Sequence, residues 1–195
     1  MNILKIEIVS DVVCPWCVIG FENLKKAIKE LENELTFEIS WKPYELHPEI
    51  PTNGYDKELY MQQKFGSNLG KGVYDEIIDI GKDLDFDFNF SKTERIPNTF
   101  LAHKLLWYAE QKNLQNELSE NLFYAYFTEG KDIGSIEVLA SIASELGLDK
   151  LKIISFLESE TGSKEVEDQK LESIERSIGA VPTYIINDQY LIQGG

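Results

Sequence analysis

The two cysteines of the chain, Cys14 and Cys17, stand two residues apart where one backbone pattern gives way to another. Before them, Ile3-Leu4-Lys5-Ile6-Glu7-Ile8-Val9 is a short apolar and β-branched run that reads as a strand. After them, Phe21, Leu24, Ile28 and Leu31 recur at the spacing of one helix face. Leu35-Thr36-Phe37-Glu38-Ile39-Ser40-Trp41 then alternates with period two and predicts a second strand. Strand, helix and strand in about forty residues make a βαβ unit, with parallel strands and a right-handed crossover. That places the chain in the α/β class and sets the cysteine pair at the mouth of the unit.

The position has chemical consequences. A thiol at a helix N-terminus faces unpaired N–H groups and the positive end of the helix dipole, both of which favour the thiolate. Pro15 fits the first turn, where its missing N–H has no intrahelical partner. Trp16 adds apolar bulk without positive charge. On this reading Cys14 is an exposed attacking thiol, and Cys17, one turn further in, is a shielded resolving thiol. Pro15 and Trp16 tune the pair.

Pro43, Pro48, Pro51 and the Asn53-Gly54 pair interrupt regular structure after the second strand. Residues 56–177 are almost entirely helical in pattern. Glu58 to Phe65 and Tyr74 to Leu84 read as two helices separated by Gly66, Gly70 and Gly72, and Phe86 to Phe90 as a short extended segment against the sheet. Further helices follow: one capped by Asn98 or Thr99, one through Leu118 and Tyr126, one starting near Ser135, one through Leu151 and Leu157, and a polar one over 164–178. Tyr184-Ile185-Ile186 and Tyr190-Leu191-Ile192 around Asn187-Asp188 predict a closing β-hairpin.

Acidic residues number 34 against 19 basic, a net charge of −15 that disfavours nucleic acid and anionic membrane as partners. No run approaches the roughly 18 apolar residues of a membrane span, and Met1-Asn2 leads straight into the first strand without a signal-peptide pattern. A cytoplasmic setting is expected, where a lone C-x-x-C is catalytic or metal-binding more often than structural. Zinc sites normally need four ligands. The only other soft ligands here are His47 and His103, 56 positions apart, so no metal is expected.

The order of features carries a resemblance. Ser10-Asp11-Val12-Val13-Cys14-Pro15-Trp16-Cys17-Val18-Ile19-Gly20, Pro97-Asn98-Thr99-Phe100-Leu101-Ala102-His103-Lys104-Leu105 and Gly179-Ala180-Val181-Pro182-Thr183 together resemble the DsbA family of thiol–disulfide oxidoreductases, nearest its FrnE-like branch. The resemblance implies a thioredoxin-like fold with a large α-helical insertion, residues 1–54 and 178–195 forming one domain and 55–177 the other. It implies exchange with protein or small-molecule disulfides and thiols, glutathione among them, without metal or organic cofactor. It also implies a cis Val181–Pro182 bond beside the cysteines, with Val181 and Pro182 contacting substrate, and a cleft shaped by the insertion with Trp16 and Pro182 on its floor. His103, in a family-like segment, is a candidate cleft residue.

The dipeptide lacks the histidine of the strongly oxidising members. The Cys14 pKa is therefore expected below the free-thiol value of about 8.5 yet well above roughly 3.5. The thioredoxin-like pattern commonly continues with a helix after the hairpin; without a covering element there, exposed apolar surface and association are expected. Glu7 and Asp11 are candidate proton acceptors for Cys17, or else a solvated side chain and a turn former. Two other functions compete. The 2-hydroxychromene-2-carboxylate isomerases and kappa-class glutathione transferases share the insertion but generally present serine at the Cys14 position. A peptide-binding module would work without either thiol.

Overall fold

The structure, a computed structural model, describes residues 2–65 and 71–195. Gly66 and Gly70, expected to separate two helices, lie outside the described residues. The elements run β1 (Asn2–Ser10), α1 (Pro15–Leu31), β2 (Leu35–Pro43), β3 (Tyr55–Asp56), α2 (Lys57–Phe65), α3 (Lys71–Asp83), β4 (Arg95–Ile96), α4 (Phe100–Glu110), α5 (Gln115–Phe127), α6 (Ile136–Glu145), α7 (Lys150–Glu158), α8 (Ser163–Glu175), β5 (Thr183–Ile186) and β6 (Tyr190–Gln193). The chain is α/β, with the two chain ends building one sheet in the order β2-β1-β5-β6. β1 pairs β2 in parallel and β5 antiparallel, and β5 and β6 form the hairpin.

Alternation along β1 sorts the sheet into two faces. Ile6 and Ile8 join a core with Phe21 and Trp41, whereas Val9 packs with Ile178 and Ile185 on the other side. Because Ile8 stands opposite Tyr184, the Tyr184 side chain shares the α1 face. The core on that face is continuous with the helical region, reaching Leu105, Leu118 and Leu139. Trp41 is the junction, edge-on to Phe21 of α1 at 4.8 Å and to Phe123 of α5 at 5.8 Å between ring centroids. β2 is an edge strand, and the Gln115 amide takes the place of a missing neighbour. Trp41 N–H donates to Gln115 Oε1 (2.8 Å), and Gln115 Nε2 donates to Trp41 O (3.2 Å). The Trp41 indole N–H donates to Asn116 Oδ1 at 2.7 Å.

Some expectations are corrected. Phe86 to Phe90 pairs with no strand of the sheet. Its Phe88 and Phe90 rings pack on Phe127 of α5 and Phe86 packs on Phe88, while the Asn89 N–H donates to Phe127 O, so the end of a helix supplies the partner that a strand would have offered. Residues Tyr55–Asp56 and Arg95–Ile96 make a two-residue antiparallel pairing that periodicity over so short a span does not reveal. Between the two candidate caps of α4, it is the Asn98 carboxamide that accepts the Phe100 N–H, at 3.0 Å. α3 begins at Lys71 and takes in Gly72. The hairpin turn holds Asn187 and Asp188 at φ 50° and 54°, the primed geometry that suits strand twist. Asn187 also exchanges hydrogen bonds with the Lys5 backbone on β1. Tyr190, Leu191 and Ile192 of β6 are exposed.

Candidate active site

β1 ends at Ser10, Asp11 turns the chain through a Cys14 N–H to Asp11 O bond of 3.0 Å, and Pro15 opens α1. Cys14 is therefore the N-cap residue, with extended φ −93° and ψ 112°, and its carbonyl receives the Cys17 N–H at 3.0 Å. Both thiols are free. The hydrogen bond available from the Cys17 thiol is the main influence lowering the Cys14 pKa; burial and the Asp11 charge oppose it, while the N–H groups of Cys17 and Trp16 assist. Cys17 moves the other way. Burial above all, and then the neighbouring Cys14 sulfur, push its pKa well up, with the Ser10 hydroxyl and the Asp11 main-chain N–H pulling down.

The expected exposure of Cys14 is corrected: it is 4% exposed against 0% for Cys17, because Val181 covers it. The Cys14 Sγ donates to Val181 O at 3.8 Å, and the Val181–Pro182 bond is cis. Among the described residues the Val181 N–H makes no main-chain hydrogen bond. Trp16, 37% exposed, projects from the first turn of α1.

The remaining candidates separate. Glu7 does not reach the thiols. On the opposite face of β1 from Ile6 and Ile8, it pairs with Arg176 at 3.0 Å and Lys42 at 3.8 Å. Asp11 is wholly buried; Oδ2 accepts the Leu46 N–H at 2.7 Å, and Oδ1 has no hydrogen-bond partner. His103 is buried with Nε2 3.0 Å from Tyr44 O and 3.5 Å from Asp11 Oδ1. A carbonyl only accepts, so Nε2 carries a proton. His103 thus backs the Asp11 turn rather than lining the open cleft.

Next to the Cys14 turn, Val13 and Pro15 border a cavity of about 240 Å³. Its walls include Tyr60, Tyr74, Phe90 and Tyr126, with His47 and Lys57 as polar groups. Burial lowers the Lys57 pKa; its ammonium donates to Phe90 O and sits over the Tyr74 and Phe90 rings. Sequence reading missed this wall, since aromatics at helical spacing signal core and cavity lining alike. Among the described residues no group of three or more His, Cys, Asp or Glu side chains is placed to hold a metal ion, and no helix is long and apolar enough to cross a membrane.

Residues 5–195, site included, match the DSBA-like thioredoxin domain. The chain belongs to that family. It is 33% identical over 192 residues to protein YwbO of Bacillus subtilis (strain 168), covering 95% of this chain and 88% of that one. The fold is similar to that of a probable DsbA oxidoreductase from Streptomyces coelicolor (TM-score 0.87, 20% identity, 98% and 83% of the two chains). It is also similar to a 2-hydroxychromene-2-carboxylate isomerase (0.71, 15%, 97% and 88%) and to the cytosolic disulfide reductase DsbM of Pseudomonas aeruginosa with GSH (0.59, 17%, 97% and 89%). The thioredoxin-like fold with helical insertion expected from the motifs is the fold observed.

Proposed function

We propose that this DsbA-like protein exchanges disulfides with protein or small-molecule thiols through the Cys14-Pro15-Trp16-Cys17 pair, in the cytoplasm and without metal or organic cofactor. The observation that carries the reading is the split between the two sulfurs: Cys14, at the helix N-terminus, is favoured as thiolate, and Cys17 is buried and held as thiol. Such a pair attacks with one sulfur and resolves with the other. Cys14 thiolate attacks a substrate disulfide, forming a mixed disulfide and releasing one substrate sulfur as thiolate. Cys17 then loses its proton, with Asp11 Oδ1 as acceptor, and its sulfur bonds to Cys14 Sγ. The bond from Cys14 to the second substrate sulfur breaks, the electron pair leaves on that sulfur, and solvent protonates it. Two electrons pass from the dithiol to the substrate, and the reverse sequence oxidises a substrate dithiol. Val181, with its main-chain groups beside Cys14, offers an extended substrate segment a strand-like partner.

Two similar solved structures, described as a probable DsbA oxidoreductase and a cytosolic disulfide reductase, the latter with GSH, support exchange chemistry and glutathione as one thiol class. The test is equilibration with glutathione buffers of graded poise, followed by acid trapping and mass analysis. A reversible Cys14–Cys17 disulfide is expected. A potential near −270 mV assigns a reductant, and one near −180 to about −120 mV an isomerase or oxidase. No reversible disulfide at any poise refutes the reading and leaves glutathione-dependent isomerisation, as in the 2-hydroxychromene-2-carboxylate isomerase, or peptide binding.

A further inference from the structure

Among the described residues, three buried side-chain polar atoms lack a hydrogen-bond partner: Ser10 Oγ, Asp11 Oδ1 and Tyr184 OH. Buried polar atoms are almost always paired, and each orphan calls for an explanation. Ser10 and Asp11 are neighbours at the end of β1 and Tyr184 comes from β5 far along the chain, yet all three residues act on the cysteine pair or feel its charge. Ser10 follows Ile6 and Ile8 on the α1 face of β1. Its hydroxyl lies near enough to the Cys17 sulfur to lower that thiol's pKa, yet it makes no hydrogen bond while the pair is reduced. Tyr184, 8% exposed, reaches the same face from β5. Its phenol oxygen lies against Gly20, where any Cβ would collide with it, and the Pro182 ring flanks the same spot. Gly20 is three residues after Cys17, on the same side of α1 and about 5–6 Å away between Cβ positions.

We propose that the Ser10 and Tyr184 hydroxyls are hydrogen-bond donors held in reserve for the Cys17 thiolate, formed only while Cys17 attacks the mixed disulfide. A neutral thiol is a weak acceptor, which accounts for both hydroxyls being unpartnered around the reduced pair. A thiolate in the same buried place is a charged acceptor, and hydrogen bonds to charged groups are the stronger ones. Burial and the charge either cysteine would carry keep the phenol protonated well above its ordinary range, so it is a donor throughout the working range of pH. Asp11 Oδ1, the third orphan, faces the opposite task of accepting the proton. The inference rests on the proposed exchange chemistry and adds two residues to it.

The test loads Cys14 with Ellman's reagent and follows thionitrobenzoate release in stopped flow from pH 6 to 10. The first release reports Cys14 attack, and the second reports resolution by Cys17. Each donor lost raises the Cys17 pKa by about one unit. The remaining thiolate is more nucleophilic by about half that on a logarithmic scale. At pH 7 the second phase therefore slows roughly threefold in Ser10→Ala and in Tyr184→Phe, and about tenfold in the double variant. Its pH midpoint moves up while the first phase keeps its rate, which also shows that each variant is folded. A second phase with unchanged rate and midpoint in the double variant overturns the inference, as does slowing without a midpoint shift. Absence of any second phase in the unaltered protein overturns the exchange reading and this inference together.

Discussion

Replacing Gln115 by leucine tests what joins the helical region to the sheet. The side chain is buried at the first residue of α5, and its amide both accepts from and donates to the backbone of Trp41. Leucine has a similar volume but leaves that N–H and C=O unpartnered in the core. Each orphaned group costs about 1–3 kcal/mol, and added apolar burial returns about 1–2 kcal/mol. The net loss is about 3 kcal/mol, a fall in Tm of roughly 6–12 °C for a chain of this size. Urea unfolding followed by circular dichroism and tryptophan fluorescence measures it. Gln111→Leu, on the exposed end of α4, is the control and shifts stability by no more than about 0.5 kcal/mol. Gln115→Leu within that same margin refutes the claim that this amide completes the edge of β2.

Three other outcomes follow from buried charge. Lys104 is 1% exposed and its ammonium donates to the main-chain oxygens of Leu157 and Ser159 at the end of α7. Lys104→Met keeps the stem packing but strips both carbonyls of a cation, and chemical unfolding should show a loss of about 2–4 kcal/mol. Cys14 alkylation by iodoacetamide should rise with a midpoint below the usual thiol value, because its neighbours favour the thiolate. Since the Asp11 charge raises the Cys14 pKa, Asp11→Asn should move that midpoint further down while slowing resolution by Cys17. A midpoint that rises or stays in place contradicts the electrostatics.

The first forty residues were legible because their signals are local. Period-two alternation in β1 and β2, the helical spacing from Phe21 to Leu31 and a proline after Cys14 each act over a few residues, and the parallel pairing of β1 with β2 followed. Asn187-Asp188 announced its turn for the same reason, since few residues adopt the positive φ it needs. Phe86 to Phe90 misled because alternation records two faces without recording what they meet. Glu7 and Asp11 both precede the cysteines, yet the pleat of β1 sends Glu7 to Arg176 and the turn buries Asp11. Four residues of sequence cannot say which face each will take.

By itself the sequence determined the class of the fold, the place of the sulfur pair at a helix N-terminus and the resemblance to DsbA proteins, since motif spacing and short-range periodicity carry all three. Only the tertiary structure decided how reactive each sulfur is and what surrounds it. The covering of Cys14 by Val181 O, the approach of Tyr184 to Gly20 and the meeting of His103 with Asp11 join residues about 90 to 170 positions apart. Burial and charge act through space, so a thiol's environment is set by whatever the fold brings to it.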